Sequence, residues 1–324
     1  MATMRYAEAL REALREEMLR DPSVWIFGED VAVYGGVFKV TRDLLAEFGP
    51  ERVRDTPISE QTLTAMAVGA AMTGTRPVLE IMYADFLPLA MDALINQAGV
   101  WNYVWNDRVK IPFVLRTQGG GGAGAGAQHS KSLDVLVAHV PGLKVVAPAT
   151  PADAKGLLKA AIRDDHPVVV LEHKLLYNLR GEVPDGDHLV EIGRARIARP
   201  GSDVSLIASS RMVHLALEAA ERLAADGVSA EVIDLRSLRP LDLETIVGSI
   251  RRTHHAVVIN EGWRFCGYGA ELSATIMEHA FDDLDAPVER IGNLDMPVPY
   301  SEPLETAVLP SVEGIVAAAR RAVA

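Results

Sequence analysis

The sequence predicts an α/β protein with two doubly wound domains, in each of which helices cover both faces of a parallel sheet. Short apolar runs typical of buried strands alternate with helical segments almost throughout the 324 residues. The alternation fails once, from Tyr177 to Ser202, where glycine and proline accumulate. A single core stops growing at roughly 250–300 residues, so the length also favours two domains. We therefore predict a first domain at 1–180, a linker at 181–202 and a second domain at 203–324.

The elements of the first domain follow from apolar runs and from residues that begin or end helices. An N-terminal helix with apolar residues at helical spacing ends at Asp21-Pro22. Thr41, Ser59 and Thr150 are placed to cap the helices that follow them. The predicted strands are Val24–Phe27, Val78–Ile81, Ile111–Leu115, Val145–Ala147 and Val168–Leu171, and the later helices are Leu44–Phe48, Glu60–Thr73, about Leu87–Asn106 and one that starts at Pro151.

The second domain repeats the alternation of strand and helix. Its predicted elements, in chain order, are Val204–Ala208, Val213–Ala225, Glu231–Leu235, Leu243–Arg251, Ala256–Ile259, Glu271–Ala280 and Val312–Ala322. This order is typical of parallel strands joined by crossover helices.

Composition and charge exclude several classes of function. A formal net charge of −12 disfavours binding to nucleic acid or to anionic membranes. There is no apolar signal core at the N-terminus and no run of about 20 apolar residues that could span a membrane. The lone Cys266 excludes an internal disulfide and is typical of a cytoplasmic protein, and we expect it to be a small buried apolar residue.

Ligands of open parallel sheets bind beyond the carboxyl ends of the strands, and Glu60 is placed at such an end. A glutamate in the first turn of a helix is usually solvated and favoured by the helix dipole. Here Pro57 and Ile58 precede it and small apolar residues follow it, so we expect Glu60 to face a poorly hydrated crevice. A carboxylate there can share a proton with a ring nitrogen of a ligand.

A glycine-rich loop, Gly119–Gly126, follows a predicted strand and matches G-x-G-x-x-G. A dinucleotide site would also need an acidic residue at the end of the next strand, where Pro148 stands instead. The simpler interpretation is a backbone loop that approaches a ligand and delivers Gln128, His129 and Ser130 to a site. An isolated histidine is more often structural, but its place at the end of this loop also makes His129 a candidate proton carrier.

Other patterns remain ambiguous or are missing. Trp101, Tyr103 and Trp105 fit either packing within a helix core or a subunit interface. The remaining histidines have no metal-ligand spacing, and neither G-x-S-x-G nor C-x-x-C occurs. The sequence therefore offers no support for a hydrolase or a zinc site.

Collinear segments spread along nearly the whole chain resemble the β chains of 2-oxo acid dehydrogenase complexes. These segments are Gly28-Glu29-Asp30-Val31, Gly35-Gly36-Val37-Phe38, Asp55-Thr56-Pro57-Ile58-Ser59-Glu60, Ala127-Gln128-His129-Ser130, Pro141-Gly142-Leu143-Lys144-Val145-Val146, Asp153-Ala154-Lys155-Gly156-Leu157, Ala161-Ile162-Arg163-Asp164 and Pro297-Val298-Pro299-Tyr300. The resemblance implies a thiamine-diphosphate pyrimidine-binding domain followed by a transketolase C-terminal-type domain.

The resemblance also implies roles for individual residues. Glu60 would hydrogen-bond the aminopyrimidine of thiamine diphosphate, and His129 would stand in the substrate channel. The implied cofactor contacts are Glu29, Ile58, Ser59, Glu60, Met82 and Phe86. Some members bind potassium, which here would fall on Phe113, Ala161, Ile162, Asp164 and His166.

One motif of thiamine-diphosphate enzymes is incomplete in this chain. The family carries the diphosphate and its magnesium ion on a G-D-G segment with a later pair of asparagines. Asp185-Gly186-Asp187 lies in the predicted linker with no such pair after it. The resemblance thus implies that the magnesium ligands belong to an α chain, in an α₂β₂ heterotetramer.

The implied reaction is decarboxylation of a 2-oxo acid on thiamine diphosphate, with transfer of the acyl group to a lipoyl group of the acyltransferase core. Pyruvate is the donor we expect, and acetoin or a branched-chain 2-oxo acid are the alternatives. The segments that resemble acetoin-cleaving relatives are Arg116-Thr117-Gln118, Glu172-His173-Lys174 and 211–217. Two rival functions stay open: an NAD-dependent dehydrogenase built on the glycine-rich loop, and a non-catalytic assembly subunit.

Overall fold

A computed structural model describes all residues from 1 to 324. In chain order its helices and strands are β1 (Ala2–Arg5), α1 (Tyr6–Arg20), β2 (Val24–Gly28), α2 (Leu44–Phe48), β3 (Val53–Asp55), α3 (Glu60–Met72), β4 (Arg76–Ile81), α4 (Leu87–Ala93), α5 (Trp101–Val104), β5 (Val114–Gly119), α6 (Asp134–Ala138), β6 (Lys144–Val146), α7 (Pro151–Arg163), β7 (Val168–His173), β8 (Arg180–Val183), β9 (Arg196–Arg199), β10 (Val204–Ala208), α8 (Met212–Ala225), β11 (Ala230–Asp234), β12 (Ser237–Arg239), α9 (Leu243–Thr253), β13 (Ala256–Trp263), α10 (Tyr268–Ala280), β14 (Glu289–Asn293), α11 (Glu302–Val308) and α12 (Val312–Ala322). No helix is both long enough and apolar enough to cross a membrane.

The chain divides into two compact units. The first comprises residues 1–119 and 136–192, and the second comprises residues 120–135 and 193–324. In the first unit, parallel strands run in the order β6-β7-β5-β4-β2-β3, and β1 pairs separately with β8 in antiparallel fashion. In the second unit the order is β14-β13-β10-β11-β9, and only the edge strand β9 is antiparallel. The predicted α/β class is confirmed.

The core of the first unit lies between its sheet and the helices packed on it. Apolar residues of α1 and α7, such as Leu10, Leu14 and Leu158, are fully buried against residues of β2 and β7. Thr150 accepts a hydrogen bond from the Asp153 N–H, so the predicted cap of α7 is confirmed.

The predicted cap of α2 is wrong. Asp43 occupies the N-cap position, while the Thr41 hydroxyl donates to the carbonyl oxygen of Val31 over 2.6 Å. Ser59 stands at the N-cap position of α3 but makes no capping hydrogen bond.

The long helix predicted at Leu87–Asn106 is also wrong. The α-helical hydrogen bonding of α4 ends at Ala93, and the chain continues as a π turn over Leu94–Ala98. The short α5 follows after a turn. A close backbone crossing follows the π turn, because a Cβ placed on Gly142 would lie 2.0 Å from the carbonyl oxygen of Gly99. Two chains can approach so closely only where neither residue has a side chain.

Two other predicted segments differ from the structure in their bounds or in their secondary structure. The strand predicted at Ile111–Leu115 is found at Val114–Gly119, since three polar residues of β5 are fully buried. Strands β8 and β9 overlap the stretch predicted as a linker. The domain boundaries themselves stay a prediction.

Candidate functional site

Two carboxylates lie at the carboxyl ends of neighbouring parallel strands in the first unit. Glu29 directly follows β2, and Glu60 begins α3 after β3, the strand that pairs with β2. Burial, and then the negative charges of Glu60 and Asp30, raise the pKa of Glu29 to about 7. Glu29 therefore holds its proton up to near-neutral pH, which limits the negative charge beside Glu60.

The same pair leaves hydrogen-bonding capacity open. Glu29 is 9% exposed and Glu60 is 6% exposed. Oε1 of Glu29 and Oγ1 of Thr56 are buried without a hydrogen-bond partner, and the Glu60 carboxylate makes no hydrogen bond with the chain. Buried polar atoms are nearly always paired in native proteins, so this set indicates a site for a ligand with complementary polar atoms.

The other residues implied as cofactor contacts flank this pair. Ile58, which is 78% exposed, and the half-buried Ser59 lie in the loop between β3 and α3. Met82 and Phe86 are half-buried and follow β4, which pairs with β2 on its other side. The strand order thus gathers the predicted residues at one edge of the sheet, although their contacts with a cofactor stay a prediction.

Next to this edge, β4, β5 and β7 carry a buried ionic network that the sequence patterns missed. Arg116 is fully buried and donates to Glu80 over 2.7 Å and to both oxygens of Glu172 over 2.7 and 2.8 Å. Gln118 donates to Glu80, and the Tyr177 hydroxyl donates to Glu172 over 2.5 Å. Burial raises the pKa of Glu172 and that of Tyr177. The two acids and the base lie on three different strands, so no pattern within a single segment of the sequence predicts that they pair.

The glycine-rich loop turns its N–H groups toward two carboxylates of the second unit. Gly122 and Gly124 donate to Glu305 over 2.8 and 3.0 Å, and Gly121 donates to Glu261 over 2.7 Å. A dinucleotide site would use such N–H groups to hold a pyrophosphate. Because side chains of the protein already occupy them, the dinucleotide interpretation of this loop is wrong.

His129 follows this loop in the second unit and is half-buried. The backbone N–H of His129 donates to the carbonyl oxygen of Gly126 over 3.2 Å. His173, by contrast, is buried and its Nδ1 accepts from the Leu175 N–H, which is a structural role. A catalytic role of His129 stays a prediction.

The residues implied for potassium lie where β5 begins and α7 ends: Phe113, Ala161, Ile162, Asp164 and His166. Arg76 donates to the carbonyl oxygens of Ile162 and Asp164 over 3.0 and 2.8 Å. Lys144 donates to the Asp164 carboxylate over 2.5 Å. Two cationic side chains thus already donate to oxygens that a potassium ion would use as ligands.

The carboxylates of the incomplete motif are engaged in ion pairs. Asp187 pairs with Lys159 over 2.7 Å and with Arg163 over 2.6 Å, and these hydrogen bonds hold the pKa of Asp187 well below its usual range. Asp185 pairs with the N-terminal ammonium group. Asp187 therefore serves the surface of the first unit, where it neutralises cations of α7.

Two expectations for apolar residues are settled by exposure. Tyr103 is 87% exposed and Trp105 is also exposed, whereas Trp101 is half-buried, so Tyr103 and Trp105 do not pack into a helix core. Cys266 was expected to be buried but is exposed, and it lies in the turn between β13 and α10. A subunit interface at these aromatic residues stays a prediction.

Comparison with known proteins places both halves of the chain in one class. Residues 2–180 match the family model "Transketolase, pyrimidine binding domain", and residues 193–315 match "Transketolase, C-terminal domain". A solved structure described as "Split gene transketolase, inactive beta4 tetramer" superposes with a TM-score of 0.80 at 26% identity, covering 99% of this chain and 98% of that one. The fold is thus that of a two-domain protein of the transketolase type.

Relatives of known name narrow the class. The pyruvate dehydrogenase E1 component subunit beta of Dictyostelium discoideum, described as mitochondrial, is 48% identical over 97% of this chain and 89% of its own. The corresponding subunit of Rickettsia conorii is 46% identical over 97% of this chain and 96% of its own. The beta-2 subunit of Oryza sativa subsp. japonica is 49% identical over 98% and 86%. The chain belongs to this family of pyruvate dehydrogenase E1 β subunits.

Proposed function

We propose that the chain is the β subunit of a pyruvate dehydrogenase E1 component, which decarboxylates pyruvate with thiamine diphosphate and passes the acyl group to a lipoyl domain. The observation that carries the proposal is the pair Glu29 and Glu60 at the strand ends, with unpaired polar atoms around it. The names of the relatives support the reaction and the donor.

The residues present fit the aminopyrimidine end of the cofactor. Such a ring offers hydrogen-bond donors and acceptors on its edge and an apolar face. Glu60, Glu29 and the Thr56 hydroxyl supply polar atoms, while Ile58, Met82 and Phe86 supply apolar surface. We propose these as the residues that hold the ring.

When bound, thiamine diphosphate supplies a thiazolium carbon that adds to a 2-oxo acid and accepts the electrons released with carbon dioxide. The chain contributes proton control and orientation. Glu60 would share a proton with a ring nitrogen of the pyrimidine, and the neighbouring Glu29, whose pKa is raised to about 7, would limit the negative charge beside it. The buried Arg116 network ties β4, β5 and β7 together, and β4 pairs with β2, the strand that Glu29 follows.

The diphosphate end requires a partner in this proposal. Asp187 is engaged with Lys159 and Arg163, and no group of three or more acidic, histidine or cysteine side chains is arranged to hold a metal. An α chain would therefore supply the magnesium ligands, in an α₂β₂ assembly that also docks on the acyltransferase core. Potassium at Asp164 and a cytoplasmic location are further parts of the proposal.

Pyruvate is preferred over acetoin because the named relatives are pyruvate dehydrogenase subunits. Arg116, Thr117 and Gln118, which resemble acetoin-cleaving relatives, are fully buried. The side-chain nitrogens of Arg116 and Gln118 donate within the network and are therefore not offered to a substrate.

The test uses the chain assembled with its α chain and compares Glu60→Gln with Gln61→Ala. Gln61 is the exposed neighbour of Glu60 and is the matched control. Glu60→Gln should slow hydrogen–deuterium exchange at the thiazolium carbon of bound cofactor by about 10²–10⁴-fold, because general acid–base contributions have that size. Gln61→Ala should exchange like wild type. Unchanged exchange in Glu60→Gln would assign the proton transfer to another carboxylate.

A further inference from the structure

We propose that Glu305 is a positioning residue for acyl transfer, because it fixes the glycine-rich loop and thereby the place of His129. The inference rests on the proposed function and on a role of His129 in it, the transfer of a proton to the lipoyl group as its disulfide opens to a thiol. It concerns a residue in α11, a helix whose sequence carries no motif of its own.

Glu305 is a buried carboxylate without a counter-ion. It is 2% exposed, and no lysine, arginine or histidine lies within ion-pairing distance of it. Its two oxygens accept hydrogen bonds from the N–H groups of Gly122 and Gly124. A buried charge needs such partners, and successive backbone N–H groups form a concave site for an anion. The carboxylate and the loop conformation therefore depend on each other.

A second carboxylate holds the beginning of the same loop. Oε1 of Glu261 accepts from the Gly121 N–H over 2.7 Å and from the Ser132 hydroxyl over 3.2 Å. Glu261 differs from Glu305 in having a cation nearby, since Arg211 lies 3.8 Å away. The loop is thus held from both sides, and Glu305 is the anchor whose charge the loop alone compensates.

The anchored segment leads directly to His129. A Cβ on Gly126 would lie 2.2 Å from the ring of Tyr300, so the end of the loop packs tightly against that side chain. The carbonyl oxygen of Gly126 accepts the His129 N–H. Glycine-rich segments lose more conformational freedom on ordering than any others. Without Glu305, the loop would sample many conformations and the imidazole would leave its reacting position, which is costly for catalysis.

The experiment measures loop order separately from activity, in the full chain assembled with its α chain. Glu305→Ala removes both acceptors, Glu305→Gln keeps one, and Glu302→Ala is an exposed control in the same helix. Amide hydrogen exchange of residues 120–130 should accelerate by at least about tenfold in Glu305→Ala and by less in Glu305→Gln. Glu302→Ala should match wild type. Unchanged loop exchange in both Glu305 variants overturns the proposal.

Two activity assays complete the test. Reductive acylation of a free lipoyl domain should fall in Glu305→Ala and recover in part in Glu305→Gln. Oxidation of the decarboxylated product by an artificial acceptor should change by less than about twofold, because it does not use the loop histidine. Faster loop exchange with undiminished acylation overturns the positioning role. If His129→Ala itself leaves acylation intact, the proposed function of His129 fails, whatever the exchange data give for the loop.

Discussion

Substitution of Arg116 by methionine tests whether the buried network holds the first unit together. The change keeps most of the side-chain length and removes the only cation between Glu80 and Glu172. Three hydrogen bonds of 2.7 to 2.8 Å are lost. Two buried carboxylates are then left without a cation between them, and each keeps one neutral donor, Gln118 for Glu80 and Tyr177 for Glu172.

The expected loss in free energy of unfolding is about 3–5 kcal/mol, the usual cost of breaking a buried ion pair by removing one partner. Three hydrogen bonds to charged groups at about 1.5–3 kcal/mol each would suggest more. The smaller figure applies because a carboxylate can take up a proton, and burial already raises the pKa of Glu172. The loss in free energy of unfolding caused by Arg116→Met should therefore become smaller as the pH is lowered and the carboxylates become neutral.

Urea unfolding followed by circular dichroism gives the measurement, with midpoint and slope compared at pH 7 and pH 5. Arg222→Met is the matched control, since Arg222 pairs with Glu218 and Glu313 at the surface and is 47% exposed. It should lower the free energy of unfolding far less than Arg116→Met does, because exposed ion pairs contribute little to stability. If Arg116→Met costs no more than this control at pH 7, the network does not stabilise the unit.

Three further outcomes are expected. His129→Ala should reduce acylation of a lipoyl domain far more than oxidation of the decarboxylated product by an artificial acceptor. If the variant keeps wild-type activity in both assays, His129 has a structural role. Glu29→Gln should raise the melting temperature at alkaline pH. The pKa of Glu29 is about 7 in the folded protein against an ordinary value of 4.5, so burial of this group costs no stability below pH 4.5, a growing amount between pH 4.5 and 7, and its full amount above pH 7. A gain in melting temperature confined to acid pH would contradict this sign. The purified chain alone should lack decarboxylase activity, and turnover at rates of the complex without an α chain would refute a split site.

The sequence predicted the fold class and the position of the carboxylate site because both depend on local patterns. Apolar runs at strand spacing are set by burial on both faces of a parallel sheet, so β2, β4, β7 and β10 appear within a few residues of their predicted bounds. The segment that ends in Glu60 follows the short edge strand β3, and residues that follow parallel strands meet at one edge of the sheet.

Only the tertiary structure decided which polar groups are paired. Whether Arg116 is solvated or buried depends on acids 36 and 56 residues away. Whether the glycine-rich loop binds a phosphate or a side chain depends on Glu305, 183 residues from Gly122. The close crossing of Gly99 and Gly142 likewise involves residues that lie far apart in the sequence. The periodicity of a sequence indicates which residues are buried. The hydrogen-bond partner of each buried polar group is set instead by the packing of residues that lie far apart in the chain.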